Sequence, residues 1–288
     1  MVVSWCDDKN CAVQQCRQYS GKPERLQEIF AVQQFCLRAR GTGGSDNARV
    51  KLADLPDLSP EAATVFNEVL WARRSVRAFR PTPIPRAWVE QLLAQAARAP
   101  SGANMQPWRV HVLTGSALRR VTEQARAVAV DRERLSSLKG RYQYYPGTWK
   151  AVFKARRREV GLALYDALGL KKGDEAGMQA QHLRNFEFFG APVGLLFTVD
   201  QSLTQGSWLD LGMFLQTLML AATAEGLHTC AQAAWCHFHE PMAQWLSFGP
   251  DEVLVCGMAL GHADPEAIEN TLVTSRVPVS EFSTFHEE

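Results

Sequence analysis

The stretch from Trp71 to Trp108, WARRSVRAFRPTPIPRAWVEQLLAQAARAPSGANMQPW, constrains this chain more than any other. It holds an arginine-rich helix end (Arg73, Arg74, Ser75, Arg77), an amphipathic helix, and a tight polar turn from Pro100 to Asn104 that runs into Gln106-Pro107-Trp108. Guanidinium forks match phosphate oxygens and a hydroxyl adds a further partner, so Arg-Arg-Ser-x-Arg suits a clamp on a phosphate monoester. The competing reading is a set of arginines that merely complement a helix dipole in solvent. The intervening helix starts near Pro85, buries Trp88, Val89, Leu92, Leu93, Ala96 and Ala97, and must end before Pro100. Trp108 to Thr114, WRVHVLT, alternates as a strand. The Ser101-Gly102-Ala103-Asn104 turn therefore falls between helix and strand, where a flat ligand can approach the main chain. Gly102 supplies backbone freedom there, and Ser101 and Asn104 supply hydrogen-bonding groups.

Upstream, Ser59-Pro60-Glu61 reads as a helix start, with a serine cap, proline at the first position and an acid in the first turn. Val65, Phe66, Val69 and Leu70 give that helix an apolar stripe, and Arg73 and Arg74 stand at its end. Residues 1–58 are of another character: one candidate helix from Pro23 to Arg38, then a Gly/Ser/Asp-rich linker. The glycines Gly41, Gly43 and Gly44 follow no strand, so they make a flexible linker and not a dinucleotide loop. The domain division expected is a flexible extension over 1–58 and a globular domain over 59–288.

Net charge of +1 argues against a dedicated nucleic-acid binder. No run reaches the 18 or so apolar residues of a membrane span. Asp7, Asp8 and Lys9 stand where a signal peptide needs its apolar core, so a cytoplasmic location is expected. Cys6, Cys11 and Cys16 lack zinc-knuckle spacing, and the chain's odd total of seven cysteines implies no disulfide framework. His228, His237 and His239 are not spaced as a helical metal pair, and no metal is expected.

A helix is expected over Ser116 to Leu138, followed by a segment rich in aromatics and then in arginines, near 139–185. Tyr142, Tyr144, Tyr145 and Trp149 flank the turn Pro146-Gly147, either as a lid over an aromatic ligand or as a surface loop packing on its own domain. Arg156, Arg157 and Arg158 are consecutive on a helix and cannot all face one way. They form a solvated face with at most one functional member, for which an acidic substrate or the phosphate of NADPH is the minority reading. A buried strand ends at Asp200, a broad apolar helix runs from Gly206 to its stop at Gly226, a strand and loop cover Leu227 to Cys236, and a last strand covers Glu252 to His262.

RRSVRAF, a helix, then APSGANMQPW resembles the opening signature of the nitroreductase superfamily, flavin enzymes that bind FMN across a homodimer interface. The resemblance implies an α+β fold, a mixed sheet flanked by helices in an intertwined homodimer. It implies that Arg73, Arg74, Ser75, Val76, Arg77 and the C-terminal Arg276 hold FMN, with Thr274 standing where some relatives have lysine. Ala231, Gln232 and Ala233 fall where the family passes the flavin's N5 and O4 edge, and Ser101, Gly102 and Asn104 come from the other subunit. Ala103, Tyr144, Tyr145 and Trp149 are the expected substrate contacts. No side chain is expected as a nucleophile, since the flavin carries the chemistry. The implied reaction is ping-pong electron transfer from NAD(P)H to a small nitroaromatic. The same scaffold also supports reductive dehalogenation, flavin breakdown and non-catalytic FMN binding.

Overall fold

A four-stranded sheet, all antiparallel, in the order β1-β2-β4-β3, organises the molecule. Its strands are β1 (Arg109–Thr114), β2 (Val193–Asp200), β3 (His228–Gln232) and β4 (Glu252–Gly261). The computed structural model describes residues 58–287. Met1–Ser59 and Pro60–Glu288 are separate units, and all the described helices and strands lie in the second. The helix expected between Pro23 and Arg38, the linker at 41–44 and Cys6, Cys11, Cys16 and Cys36 lie outside the described residues.

The two central strands have no solvent face: β4 is buried at every position and β2 at all but Asp200. Strand side chains alternate, so the chain builds one apolar layer on each side. On one side Val193, Leu195 and Phe197 meet α7 (Gln205–Ala224) through Leu211, Phe214, Leu218 and Ala222, and α2 (Arg86–Ala96) through Val89, Leu92 and Ala96. On the other, Leu196, Leu254 and Ala259 meet α3 (Gly115–Val130) and two 3-10 segments, Arg184–Gly190 and Ala233–Phe238, which supply Phe186, Phe188, Trp235 and Phe238. Each such aliphatic or aromatic side chain contributes about 1.5–3 kcal/mol by leaving water. Trp235 is fully buried, stacked on Phe188 with centroids 4.6 Å apart, and a Cβ on Gly257 would stand 2.2 Å from its ring, so β4 needs glycine at that point.

A bulge between Phe197 and Thr198 skips Val255, as Phe197 faces Cys256 and Thr198 faces Leu254. Val255 and Cys256 consequently join the same apolar layer. The four strands are antiparallel throughout where the resemblance implies a mixed sheet; the parallel pairing among the described residues is the isolated bridge from Ser75 to Thr229.

Four details differ from the sequence-based expectations. The helix expected over Ser116 to Leu138 breaks at Asp131, whose carboxylate accepts from the Glu133 and Arg134 amides and caps α4 (Arg132–Ser137). Ala97 is exposed, because α2 has already ended and Ala97 sits in its C-terminal turn. The stripe on α1 (Pro60–Ala72) is not buried: Phe66 is 55% exposed and Leu70 41%. Gly102 does not use its freedom at positive φ, which falls instead on Ala103 (48°) and Asn104 (57°). The segment 139–185 contains α5 (Ala151–Ala167) and α6 (Glu175–Leu183). A short α8 (His239–Leu246) follows the second 3-10 segment, and no described helix is long and apolar enough to cross a membrane.

Candidate functional site

The segment after α1 is pinned between two parts of the sheet. Val76 N donates to Thr229 O at 3.0 Å on β3, and Arg80 N donates to His262 O at 2.9 Å just beyond β4. Asn270 completes the clamp: its Oδ1 accepts from Arg77 N at 2.8 Å and Ala78 N at 3.2 Å, while Nδ2 donates to Ala78 O at 2.9 Å and Asp264 O at 2.8 Å. Every polar atom of that side chain serves to fix the arginine-bearing strand, a role no local pattern announced.

Cations gather around this strand. Burial lowers the pKa of Arg73, and the nearby positive charge of Arg276 lowers it further. His228 on β3 is likewise depressed, first by burial and then by His262 and Arg74. Arg276 is braced locally, its Nη1 donating to Thr274 Oγ1 and Ser275 O, both at 2.7 Å. Positive groups from opposite ends of the described chain thus meet and repel one another. Such an arrangement costs stability unless an anion joins them.

Arg77 of this segment lines a cavity of about 630 Å3, while Arg276 lines a separate one of about 500 Å3 with Glu159 and Glu281. The lining of the first includes Arg77 with Ala231, Gln232 and Ala233, and also Tyr144, Tyr145 and Arg157. Among the described residues, no aspartate or glutamate lines it. Gln232 is buried, with Nε2 donating to Asn185 O at 2.6 Å and Oε1 left without a partner among the described residues. Cys230 and Cys236 also reach the wall, but burial pushes both thiols up, Cys230 to about 11, so neither is poised as a nucleophile.

The aromatic segment is part of this wall and not a detached surface loop. Tyr142 donates to Val255 O at 2.6 Å, and its ring packs edge-on against Trp208 at 4.5 Å. A Cβ on Gly140 would lie 2.8 Å from Cys236 O, so glycine lets the segment pass close to the 3-10 backbone after β3. Tyr144 and Tyr145, held edge to face at 4.7 Å, then line the cavity. Trp149 does not; it stands behind Tyr145 at 5.4 Å. The sequence-based reading missed Arg157, His182 and His237, which do line the cavity. Which of the three arginines on α5 faces inward was not decidable without the fold.

The Ser101–Asn104 turn lies elsewhere and does not line this cavity. Ala103, Asn104 and Gln106 all have positive φ, near 50°, a strained run for residues with a Cβ. The turn is held by Gly102 N donating to the buried Asp210 carboxylate at 3.2 Å and by Gln106 N donating to Ser101 Oγ at 2.9 Å. The strained backbone, with Ala103 at its tip, faces away from the core.

The nitroreductase family model matches residues 70–262. A 4-nitrobenzoate reductase of Pseudomonas putida is 38% identical over 220 residues, covering 76% of this chain and 95% of the relative. Among solved structures, the FMN and NADPH-dependent nitroreductase NfnB from sphigopyxis sp. strain HMH superposes with a TM-score of 0.73 at 36% identity, over 77% of this chain and 99% of that one. The FMN-dependent NfnB from Mycobacterium smegmatis, solved in complex with NADPH, gives 0.74 at 29% identity, over 78% and 99%.

Proposed function

The chain belongs to the nitroreductase family, and we propose that it works as a homodimeric, FMN-dependent enzyme that passes electrons from NAD(P)H to nitroaromatic compounds. The observation that carries this reading is the meeting of Arg276 with Arg73, in the segment whose Arg77 lines the cavity. A phosphate monoester carries about −1.5 to −2 charges near neutrality and would relieve that repulsion. The residues fit FMN in a second respect, since Gln232 lines the cavity and its buried Oε1 has no partner among the described residues.

Bound FMN supplies the two-electron redox chemistry between a reduced nicotinamide and a nitro group. The chain's own residues supply the rest. Arg73, Arg74, Ser75 and Arg276 hold the phosphate end. Arg77, with the Val76 amide engaged on β3, places a fixed positive charge at the cavity wall, where it stabilises negative charge arriving with the electrons. Ala231, Gln232 and Ala233 pass beside the ring, and Tyr144 and Tyr145 stack the incoming aromatic and exclude water.

Two features support the dimer. The stripe of α1 is exposed, as are Leu209 (72%) and Met213 on α7, an apolar surface that a single chain leaves wet. The strained turn, absent from its own cavity, is the part we assign to the neighbour's, where Ser101, Gly102 and Asn104 reach the flavin and Ala103 the substrate. Residues 1–58 are then an extension to a flavin domain of 59–288, in a protein that works in the cytoplasm.

Anaerobic stopped-flow mixing tests the chemistry. NADH or NADPH is expected to bleach the yellow protein, and a nitroaromatic to restore its colour. A protein that purifies colourless and does not take up added FMN, or one whose flavin answers neither reagent, overturns the proposal.

A further inference from the structure

We infer that Arg157 recognises an anionic ring substituent, so that the site selects nitroaromatics bearing a carboxylate over neutral ones; the inference builds on the nitroaromatic reduction proposed above. Successive residues on a helix point about 100° apart, and the three consecutive arginines of α5 accordingly have different fates. Arg156 turns to the C-terminal segment and pairs with Glu281 at 3.2 Å. Arg157 turns to the cavity, its guanidinium 5.1 Å from the Tyr145 ring centre and 5.3 Å from that of Trp149.

Two ring faces hold the guanidinium in place without neutralising it. A stacked guanidinium keeps its in-plane N–H donors for a planar acceptor, and a carboxylate is the planar acceptor that matches the fork. Among the described residues no acid lines the cavity to compete, and the second arginine there, Arg77, adds to the positive field. Trp149, which misses the cavity, acquires a role as the back plate that holds Arg157. A nitro group is itself uncharged and gives Arg157 little to bind. The selected substrate therefore carries a separate anion on the ring that stacks against Tyr144 and Tyr145.

The 2′-phosphate of NADPH is another source of the same anionic chemistry, and the test separates the two. Wild type, Arg157→Gln, Arg157→Lys and Arg158→Gln holoenzymes are assayed with 4-nitrobenzoate and nitrobenzene, each with NADH and with NADPH. Calorimetric titration with benzoate, which is not reduced, gives a binding constant independent of turnover. Arg157→Gln is expected to lower the kcat/KM ratio of 4-nitrobenzoate to nitrobenzene by about tenfold, through KM, and to weaken benzoate by a similar factor, the loss of one charge-assisted contact at a half-open site. Arg157→Lys recovers part of the loss. Arg158→Gln removes the same charge one residue on and keeps the ratio within about twofold, which excludes a long-range field. Equal losses on both substrates mean that Arg157 only packs the wall and overturn the assignment. So does a loss confined to NADPH, which would place the nucleotide's phosphate there. If wild type reduces neither compound, the nitroaromatic proposal falls, while the benzoate titration still decides for or against Arg157.

Discussion

The two ends of β4 treat charge in opposite ways. At its start, Glu252 is buried and saturated: Thr198 Oγ1 donates at 2.5 Å, His111 Nε2 at 2.8 Å and Gly249 N at 2.9 Å, with Arg109 3.6 Å away. Burial alone would raise its pKa, but the bonds from Thr198, His111 and Gly249 outweigh it and hold the carboxyl at about 2. At the far end, beside Gly261, His228 keeps company with Arg74 and His262, and Arg73 with Arg276; burial first, and then these neighbours, lower the pKa of His228 and of Arg73. One cluster is complete in itself and the other is all of one sign. A polar group that finds its partners within the chain serves the fold, whereas a set of cations that repel one another is suited to an anionic ligand.

The contrast is broken most directly at Glu252. Glu252→Gln leaves Thr198, His111 and Gly249 around a neutral amide, and we expect a loss of about 3 kcal/mol in urea unfolding, the order found when one member of a buried charged network is removed. The pH dependence carries the same signature. The folded pKa of about 2 lies below the ordinary 4.5, so the stabilisation is complete above about pH 4.5 and is lost as pH falls from there toward 2, a drop of about 3 kcal/mol at most. The variant should lack that acid limb. If wild type and Glu252→Gln lose stability in parallel below pH 4.5, the saturated-cluster account is wrong.

Arg73→Ala probes the other end and should reverse the sign for the fold. Removing one of two repelling cations leaves the flavin-free protein as stable as before or firmer by a few tenths of a kcal/mol, while FMN dissociation rises about tenfold. Thermal unfolding and equilibrium dialysis measure the two separately. A clear loss of stability without FMN, or unchanged flavin affinity, would show that Arg73 serves the fold instead.

This contrast also explains what the sequence could reveal. RRSVRAF, the helix and the SGAN turn were legible because each is a local pattern, and the apolar runs of β2 and β4 announced themselves by length. The Glu252 cluster was not, since Thr198, His111 and Glu252 belong to three strands and meet only through the register that the Phe197 bulge sets. Asn270 and Asp210 were equally silent, being ordinary polar residues whose partners are backbone amides distant in sequence. The α1 stripe misled in a useful way: its helical period was right, but burial within one chain did not follow, because that stripe faces outward. Gly102 offers backbone freedom in the sequence, but the positive φ falls on its neighbours Ala103 and Asn104, since a glycine marks where freedom is available and not where strain is placed.

The smallest expected effect sharpens the comparison between the sheet and its aromatic wall. Val255 is the residue the β4 bulge leaves over, and its carbonyl, without a ladder partner in β2, is satisfied by the Tyr142 hydroxyl. The ring is packed on Trp208 and its phenol is pushed above its usual pKa by burial, so it remains a donor across the working pH range. Tyr142→Phe keeps the packing and removes the donor alone, at a cost of about 1 kcal/mol for one buried carbonyl left unpaired. FMN occupancy should not change, because Arg73, Arg77 and Arg276 are untouched. KM for the nitroaromatic should rise two- to threefold, since Tyr144 and Tyr145 follow two and three residues after the lost anchor and a loosened wall presents them less often in the stacked position. An unchanged KM beside the same loss of stability would mean that the bulge is tied down for the sheet's sake only, and that the wall holds its shape without it.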